Sequence, residues 1–363
     1  MKKILIVIGT RPNFIKVTRF RQVAMNYPGL DLKFVHTGQH FDERMSKIFF
    51  EQFGLSPDFF LEVGQGTPNS QMANIMLGLE GVCSEFRPDL MMVVGDVNST
   101  FAAALSGNKM GIKVAHLESG LRSFDRGMPE EINRILTDEI ADYFFVTEQS
   151  GMDNLLSEDK QASGIFMVGN TMIDSLVAFD SQVQNSKVLE EMQLSSGAFV
   201  LMTMHRPANV DEKPGLEILI RMIQDITSRF KLVFPIHPRT VARLKQFGLW
   251  QQVEDIKDLL LCEPLDYFSF QKLTAECRFV VTDSGGIQEE TTFRGVPCLT
   301  LRDNTERPVT VDLGTNVLVP YTPEALHGQI EKILDGTFKK GQIPPLWDGK
   351  STERVVEIIN RLI

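Results

Sequence analysis

Short runs of β-branched and other apolar residues alternate with longer helical patterns along this chain, and this alternation restricts the possible fold more than any other feature of the sequence. Strands that are buried on both faces of a parallel sheet have this composition, and strands that alternate with helices form doubly wound sheets. One series of runs comprises residues 4–8, 32–36, 90–94, 112–116 and 143–146. A second series comprises residues 198–204, 231–236, 259–262, 278–282 and 296–301. The sequence therefore predicts an α/β protein with two doubly wound parallel sheets.

A turn signal at Gly169-Asn170-Thr171 separates the two series. The length of 363 residues also exceeds the size at which a single hydrophobic core keeps growing. We therefore predict an N-terminal domain of residues 1–171 and a C-terminal domain of residues 172–350. Residues 351–363 have apolar side chains at helical spacing, and we expect this helix to pack back on the first domain.

The composition argues against several classes of partner. A net charge of -10 and a pI near 5.2 disfavour nucleic acid, because binding to a phosphate backbone requires a basic surface. The apolar runs are shorter than the ~20 residues of a membrane span, and the N-terminal run is too short for a signal peptide. The four cysteines show no metal-ligand spacing. We expect a cytoplasmic protein with reduced thiols, no metal and no membrane partner.

The loops that follow the strands are the places to search for a site, because ligands bind beyond the carboxyl ends of strands in open parallel sheets. The first such loop, GTRPNFIK, starts at Gly9 and carries Arg11 and Lys16 over a helix start. The two cations suit a phosphate group, although a solvated helix start is the alternative. The chain lacks GxGxxG and GxxxxGK[ST] motifs, which argues against a tight dinucleotide site and against ATP hydrolysis.

The sequence DSGGIQEE follows a strand of the second series and opens a helix. Ser284, Gly285 and Gly286 expose backbone N–H groups at the positive end of the helix dipole, where an anion binds well. Glu290, one turn later, is placed to accept hydrogen bonds from a ribose diol. The next loop carries two arginines, at positions 302 and 307, and the guanidinium group matches a diphosphate. A plain helix-capping turn is the alternative interpretation of this motif.

Acidic residues gather at the strand ends of the first domain. Asp96 and Glu118 each follow a buried strand, and Glu130 lies in the motif MPEEINR. Neighbouring carboxylates repel one another, which raises the pKa of one of them and produces an acid/base pair. Two structural alternatives stay open at this point: Asp96 caps a helix, or Glu130 pairs with Arg134 one turn later.

Two of the six histidines, His205 and His237, follow strands of the second domain. Histidine changes its charge near neutral pH, so at these positions it suits binding or protonation of a phosphate oxygen. The pattern assigns no role to His36, His40 or His116.

In combination, these motifs resemble those of the non-hydrolysing UDP-N-acetylglucosamine 2-epimerases over essentially the whole chain. The matching motifs are GTRP with Lys16, HTGQH at 36–40, GD at 95–96, HLESGLRS at 116–123, MPEEINR at 128–134, GNTMID at 169–174, MHR at 204–206, DSGGIQEE at 283–290 and TERP at 305–308. The resemblance implies two Rossmann-like domains of the glycosyltransferase B type, an interdomain active-site cleft, a homodimer and no cofactor. It also implies a role in supplying precursors of cell-surface polysaccharides.

Individual roles follow from the same resemblance. It implies Asp96, Glu118 and Glu130 as acids that handle protons, with His205 as a catalytic partner near the diphosphate. The residues expected on UDP are Arg11, Lys16, His205, Phe270, Ser284, Gly285, Gly286, Glu290 and Arg307, with Phe270 near the uracil. Some bacterial members bind a second substrate molecule as an activator, and the matching positions here are Gln39, His40, Arg206 and His237.

The chemistry of the substrate explains why these residue types are needed. C2 of an N-acetyl sugar is not adjacent to a carbonyl, so its proton is not acidic. Anti elimination of UDP from C1 as a carboxylate takes the C2 proton gives a 2-acetamidoglucal, and UDP adds back after reprotonation from the opposite face. Three alternatives stay open: a 2-epimerase of a related UDP-diacetamido-uronic acid, suggested by Asn13 in the first loop, a UDP-sugar glycosyltransferase of the same fold, and a non-enzymatic sensor.

Overall fold

A computed structural model describes residues 1–39, 50, 52–64 and 66–363, and two parallel sheets organise these residues. Within the described residues the first sheet has the order β3-β2-β1-β4-β5-β6-β7. Its strands are β1 (Lys2–Ile8), β2 (Leu30–His36), β3 (Phe59–Phe60), β4 (Leu90–Val94), β5 (Lys113–Leu117), β6 (Tyr143–Val146) and β7 (Ile165–Met167). The second sheet has the order β10-β9-β8-β11-β12-β13. Its strands are β8 (Phe199–Thr203), β9 (Lys231–Pro235), β10 (Leu259–Cys262), β11 (Val280–Thr282), β12 (Cys298–Thr300) and β13 (Asn316–Leu318).

Helices connect the strands in both sheets. Those before residue 179 are Arg11–Val17, Phe20–Ala24, Pro68–Phe86, Asn98–Lys109, Pro129–Ile140, Gln149–Ser157 and Thr171–Ala178, with a 3-10 turn at Ala162–Gly164. Those after it are Asp180–Gln184, Val188–Glu191, Pro207–Val210, Lys213–Thr227, Pro238–Gln246, Trp250–Glu254, Tyr267–Glu276, Gly285–Arg294, Pro308–Asp312, Pro323–Leu334 and Ser351–Leu362. None of the helices in the described part of the chain is long and apolar enough to cross a membrane.

The predicted α/β class with doubly wound sheets is confirmed, and every predicted run coincides with a parallel strand. The central strands are fully buried because side chains pack on both faces of the sheet; all five residues of β4, for example, are at most 1% exposed. The prediction missed β3, β7 and β13, which are two or three residues long and lie at sheet edges.

Internal contacts divide the chain into two compact units, residues 1–178 with 345–363 and residues 179–344. The helix Ser351–Leu362 belongs to the first unit and packs on the helices Phe20–Ala24 and Thr171–Ala178. Its N-terminus is capped by Asp174, whose carboxylate accepts hydrogen bonds from the backbone N–H groups of Ser351 (3.0 Å) and Thr352 (2.5 Å). Burial raises the pKa of Asp174, although these hydrogen bonds act in the opposite direction. The GNTMID motif, which contains Asp174, thus secures the last helix.

Candidate active site

The strand order of each sheet reverses at one place, between β1 and β4 in the first unit and between β8 and β11 in the second. Loops at such switch points form ligand sites in doubly wound sheets. Most of the predicted site residues lie on these loops, on those of the adjacent strands or in the helices that follow them, whereas Phe270 lies in the helix after the edge strand β10. The acids belong to the first unit, and the residues predicted on the diphosphate belong mainly to the second. Each unit is therefore described by itself.

Lys16 and Glu118 form a buried ion pair in the first unit, with side chains only 6% and 2% exposed. Gly95 lies beside this pair, and its φ of +67° is a backbone conformation that residues with a side chain rarely adopt. The backbone of Glu118 has a φ of +69°, which costs about 1 to 3 kcal/mol for a residue with a side chain. A strained carboxylate beside a buried ammonium is typical of a functional position. The cation that the sequence suggested for a phosphate thus contacts an acid.

Asp96 is held by a second cation. Arg134 Nε donates to Asp96 Oδ2 at 3.0 Å, and the Asp96 side chain is 26% exposed. Arg134 also pairs with the buried Glu131, whose carboxylate accepts hydrogen bonds from the loop at Ser123. Glu130 lies exposed in the first turn of its helix. Both structural alternatives are therefore wrong: the partner of Arg134 on its own helix is Glu131 rather than Glu130, and the N-cap of the helix Asn98–Lys109 is Val97 rather than Asp96.

In the second unit, the buried Asp283 organises the loop that carries His205. Its carboxylate accepts hydrogen bonds from the backbone N–H groups of His205 (3.0 Å) and Arg206 (2.8 Å), and its Oδ1 lies 3.0 Å from the His205 Nδ1. Burial acts to raise the pKa of Asp283, but the hydrogen bonds and the charge of His205 outweigh it and lower the pKa below its usual value. Asp283 was not among the residues predicted from sequence, although an acid between the end of β11 and the next helix was the available signal.

Ser284 is the N-cap residue of the helix Gly285–Arg294, and its hydroxyl group makes no capping hydrogen bond. Gly285 is needed because a Cβ there would lie 2.4 Å from the Glu306 Oε1. Arg307 is buried, with its Nη1 2.7 Å from Glu306 and its Nε 2.7 Å from Glu289. The loop predicted to bind diphosphate therefore places a guanidinium and an open helix start together.

The other residues predicted on UDP have less defined surroundings. Arg11 is half-buried in the first turn of its helix, and Glu290 is buried in the helix Gly285–Arg294, which also contains Gly286. Phe270 is half-buried in the helix Tyr267–Glu276, where it packs against the apolar core below the second sheet. Their roles stay predictions.

The residues suggested for regulation lie on both units. Gln39 Oε1 accepts from the backbone N–H of Ser99 at 2.8 Å, at the start of the helix Asn98–Lys109. His40 lies outside the described residues. Arg206 directly follows His205, and the ring centroid of His237 lies 5.6 Å from that of His205. Burial, followed by the nearby His205 and Arg239, lowers the pKa of His237.

His36 at the end of β2 is expected to make stability depend on pH. Burial lowers its pKa to about 4, and its Nδ1 accepts from the Gly38 N–H at 3.0 Å. Because the folded-state pKa lies below the unfolded value of about 6.5, the stabilisation is complete above that pH and is lost as the pH falls toward 4. In urea denaturation, lowering the pH from about 7.5 to about 5 should cost the wild type about 2 kcal/mol more than His36→Asn, which keeps the acceptor. Equal losses in both proteins would contradict this assignment.

Among the residues that the structure describes, no group of three or more His, Cys, Asp or Glu side chains is arranged to hold a metal ion. Of the four cysteines, which are all free thiols, Cys83, Cys277 and Cys298 are buried. Burial raises the pKa of the Cys83 thiol to about 11, so it stays protonated near neutral pH.

Comparison with known proteins identifies the relatives of this chain. The family model described as UDP-N-acetylglucosamine 2-epimerase matches residues 23–360. A UDP-N-acetylglucosamine 2-epimerase of Methanocaldococcus jannaschii is 40% identical over 98% of both chains. A UDP-2,3-diacetamido-2,3-dideoxy-D-glucuronate 2-epimerase of Pseudomonas aeruginosa is 36% identical over 99% of this chain and 100% of its own. The crystal structure of the M. jannaschii UDP-GlcNAc 2-epimerase in complex with UDP-GlcNAc and UDP matches with a TM-score of 0.91, at 39% identity and over 99% of each chain.

Proposed function

This chain belongs to the UDP-N-acetylglucosamine 2-epimerase family, and from that premise we propose that it interconverts UDP-GlcNAc and UDP-ManNAc. Members of this family are isomerases. The observation that carries the proposal is the pair of carboxylates at the ends of the neighbouring strands β4 and β5. Glu118 is buried against an ammonium, and Asp96 is partly exposed beside a guanidinium. Two differently held acids suit a reaction that removes a proton from one face of a carbon and returns one to the other.

The reaction proceeds by anti elimination and re-addition. The C1–O bond to UDP breaks as a carboxylate takes the C2 proton, and the electron pair of the C2–H bond forms the C1–C2 double bond of a 2-acetamidoglucal. The second acid then donates a proton to the opposite face of C2, and a phosphate oxygen of UDP bonds to C1. We assign these transfers to Asp96 and Glu118, with Glu130 as a third, exposed acid. Lys16 pairs with Glu118 and stabilises the negative charge that this carboxylate carries whenever it holds no proton.

The second unit stabilises the UDP that leaves. Negative charge grows on the diphosphate as the C1–O bond breaks, and preorganised donors stabilise such charge most effectively. We assign this role to Arg307, to the open start of the helix Gly285–Arg294 and to the His205 ring, which is oriented by the contact of its Nδ1 with Asp283. Arg11 adds a further cation. Phe270 contacts the uracil in this scheme.

An isotope experiment tests the mechanism. Each epimerisation in D2O is expected to place one solvent deuterium at C2 of the product, and traces of free UDP and 2-acetamidoglucal should accumulate. NMR spectroscopy of the product formed without added nicotinamide or metal measures both. Product that keeps its original C2 hydrogen would rule out elimination and would indicate transient oxidation instead.

The choice of substrate distinguishes the proposed reaction from two others, epimerisation of a UDP-diacetamido-uronic acid and transfer of a sugar to an acceptor. A relative acts on a diacetamido uronic sugar, and Asn13 in the first loop was the sequence reason to consider one here. Asn13 is buried, however, and its Nδ2 donates to the carbonyl of Val94, the last residue of β4, at 3.1 Å. Its role is therefore to support the end of this strand, and it gives no information about the sugar. Incubation with a panel of UDP-sugars and no acceptor should give epimers of UDP-GlcNAc or UDP-ManNAc. Turnover that needs an acceptor would indicate a glycosyltransferase.

Glu290 is expected to select for the ribose of UDP. If its carboxylate accepts from the 2′- and 3′-hydroxyl groups, Glu290→Gln should weaken UDP binding by about tenfold, because a hydrogen bond to a charged group contributes about 1.5 to 3 kcal/mol. Binding of 2′-deoxy-UDP should change much less. Calorimetry with both ligands measures the difference. An equal loss for the two nucleotides would place Glu290 away from the ribose.

From the resemblance alone we also propose that the protein is a cytoplasmic homodimer and that its product feeds the synthesis of cell-surface polysaccharides. Light scattering at micromolar concentration tests the assembly, since the mass of a single chain would contradict a dimer.

A further inference from the structure

His116 is a fully buried residue of β5 to which the proposed mechanism assigns no step. Its Nε2 lies 2.8 Å from the Gly95 carbonyl oxygen, and its Nδ1 lies 2.6 Å from the Asp138 Oδ1. The other oxygen of Asp138 accepts from the Gly120 N–H at 3.0 Å and from the Arg122 Nη1 at 2.7 Å. Arg122 in turn donates two hydrogen bonds to Glu158. The ring therefore joins two strand ends through buried groups.

Both neighbours of the His116 ring are acceptors. A carbonyl oxygen cannot donate a hydrogen bond, so Nε2 must carry a proton to contact Gly95. The Gly120 N–H and the Arg122 guanidinium both donate hydrogen bonds to Asp138, and they stabilise its carboxylate form. Nδ1 must then carry a proton as well. With a proton on each ring nitrogen, His116 is an imidazolium. The positive charges of His116 and Arg122 are balanced by the buried Asp138 and by Glu158, whose side chain is 36% exposed.

The positions of these contacts suggest what the cluster does. Gly95 directly precedes Asp96, and Glu118 lies two residues beyond His116, in a strained left-handed conformation. Gly120, held by Asp138, fixes the other side of Glu118. We propose that His116, which donates through both ring nitrogens and is anchored by Asp138, is a positioning residue that sets the distance between Asp96 and Glu118. The inference rests on the proposed function and adds a residue to it.

The protonation state can be tested without any activity measurement. Neutron diffraction from crystals of the deuterated full-length protein near pH 7 should show deuterium on both Nδ1 and Nε2 of His116, and none on Asp138. A ring with a single deuteron, or a deuterated Asp138, would overturn the inference. The neutron result does not depend on activity. If the protein epimerised no UDP-sugar, only the proposed function would be refuted.

The kinetic test uses two substitutions that each keep one donor. His116→Asn places an amide nitrogen near the position of Nδ1 and loses the contact with Gly95, whereas His116→Gln reaches toward Gly95 and loses the contact with Asp138. Small misplacements of reacting groups cost up to about 10²-fold in rate. We expect kcat to fall by about 10- to 100-fold in His116→Asn and by less in His116→Gln, with KM nearly unchanged. Free UDP released per epimerisation in D2O should rise in both, because the second proton transfer slows.

Asp174→Asn is the matched control, since it removes another buried carboxylate of the first unit, one that only caps the last helix. It should lower the melting temperature and leave the ratio of released UDP to epimerised product at the wild-type value. If the two His116 variants change the ratio of released UDP to epimerised product no more than Asp174→Asn does, then His116 is only a structural residue and the proposal is refuted. If neither His116 variant folds, the neutron result decides.

Discussion

Replacement of Glu118 by Gln is expected to lower turnover by ~10²-fold or more and to leave UDP affinity nearly unchanged. Glutamine keeps the size of the side chain but accepts no proton, and it also leaves the buried Lys16 ammonium without a negative partner. The acid lies in the first unit and the predicted nucleotide contacts lie mainly in the second, so binding and chemistry should separate. Steady-state kinetics and calorimetry with UDP measure the two effects. Asp96→Asn should behave similarly.

Glu139→Gln provides the control for this experiment. Glu139 lies in the helix Pro129–Ile140, is 70% exposed and pairs only at the surface with Lys160. Such pairs contribute little to stability, so this variant should keep wild-type turnover. If Glu118→Gln retains more than about a tenth of the wild-type kcat, the carboxylate is not the group that transfers the proton.

Replacement of Arg307 by Lys should weaken UDP binding by about 10- to 100-fold. Lysine keeps the positive charge but lacks the forked donors that match a diphosphate, and charge-assisted hydrogen bonds contribute about 1.5 to 3 kcal/mol. Lysine is preferable to alanine because Arg307 also balances the buried Glu289 and Glu306. Removal of one member of such a buried ion pair costs about 3 to 5 kcal/mol and would confuse binding with unfolding.

Arg294→Lys, at the opposite end of the helix that starts beside Arg307, is the matched control. Arg294 contacts Gln271 and Asp180 rather than the helix start, so its substitution should leave UDP affinity unchanged. Calorimetry compares the three proteins. If the dissociation constant of UDP for Arg307→Lys lies within about twofold of the wild-type value, Arg307 does not bind the diphosphate.

The sequence predicted those structural elements that depend on residues close together in the chain. The strands β4, β6 and β10 agree with their predicted bounds to the residue, because runs of apolar residues between turns identify buried parallel strands. The strands that escaped prediction are too short to show a pattern, and they pair at the edges of sheets. Class and topology thus follow from periodicity, whereas edge strands depend on tertiary pairing.

The partners of charged side chains were much less predictable. Lys16 and Glu118 are 102 residues apart in sequence, and only the pairing of β1, β4 and β5 side by side in the first sheet brings them together. Similarly, Arg134 had two acids within one helical turn, and the hydrogen bonds at Ser123 decide in favour of Glu131. His116 carried no local signal at all. The residues of a site can therefore be predicted from sequence, but their ion-pair partners can be identified only from the three-dimensional structure.

The capping of the last helix by Asp174 has a consequence for the order of events on the ribosome. The strands of the first unit emerge early, but Ser351 and Thr352, which donate to Asp174, are translated only after the entire second unit. Nascent domains generally fold from the N-terminus onward. Here the first unit must wait for its closing helix, and until then Asp174 lacks the N–H groups that donate to it in the folded protein. The second unit can complete its sheet earlier, since all its strands precede residue 345. The unit that is synthesised second is therefore the first that can finish folding.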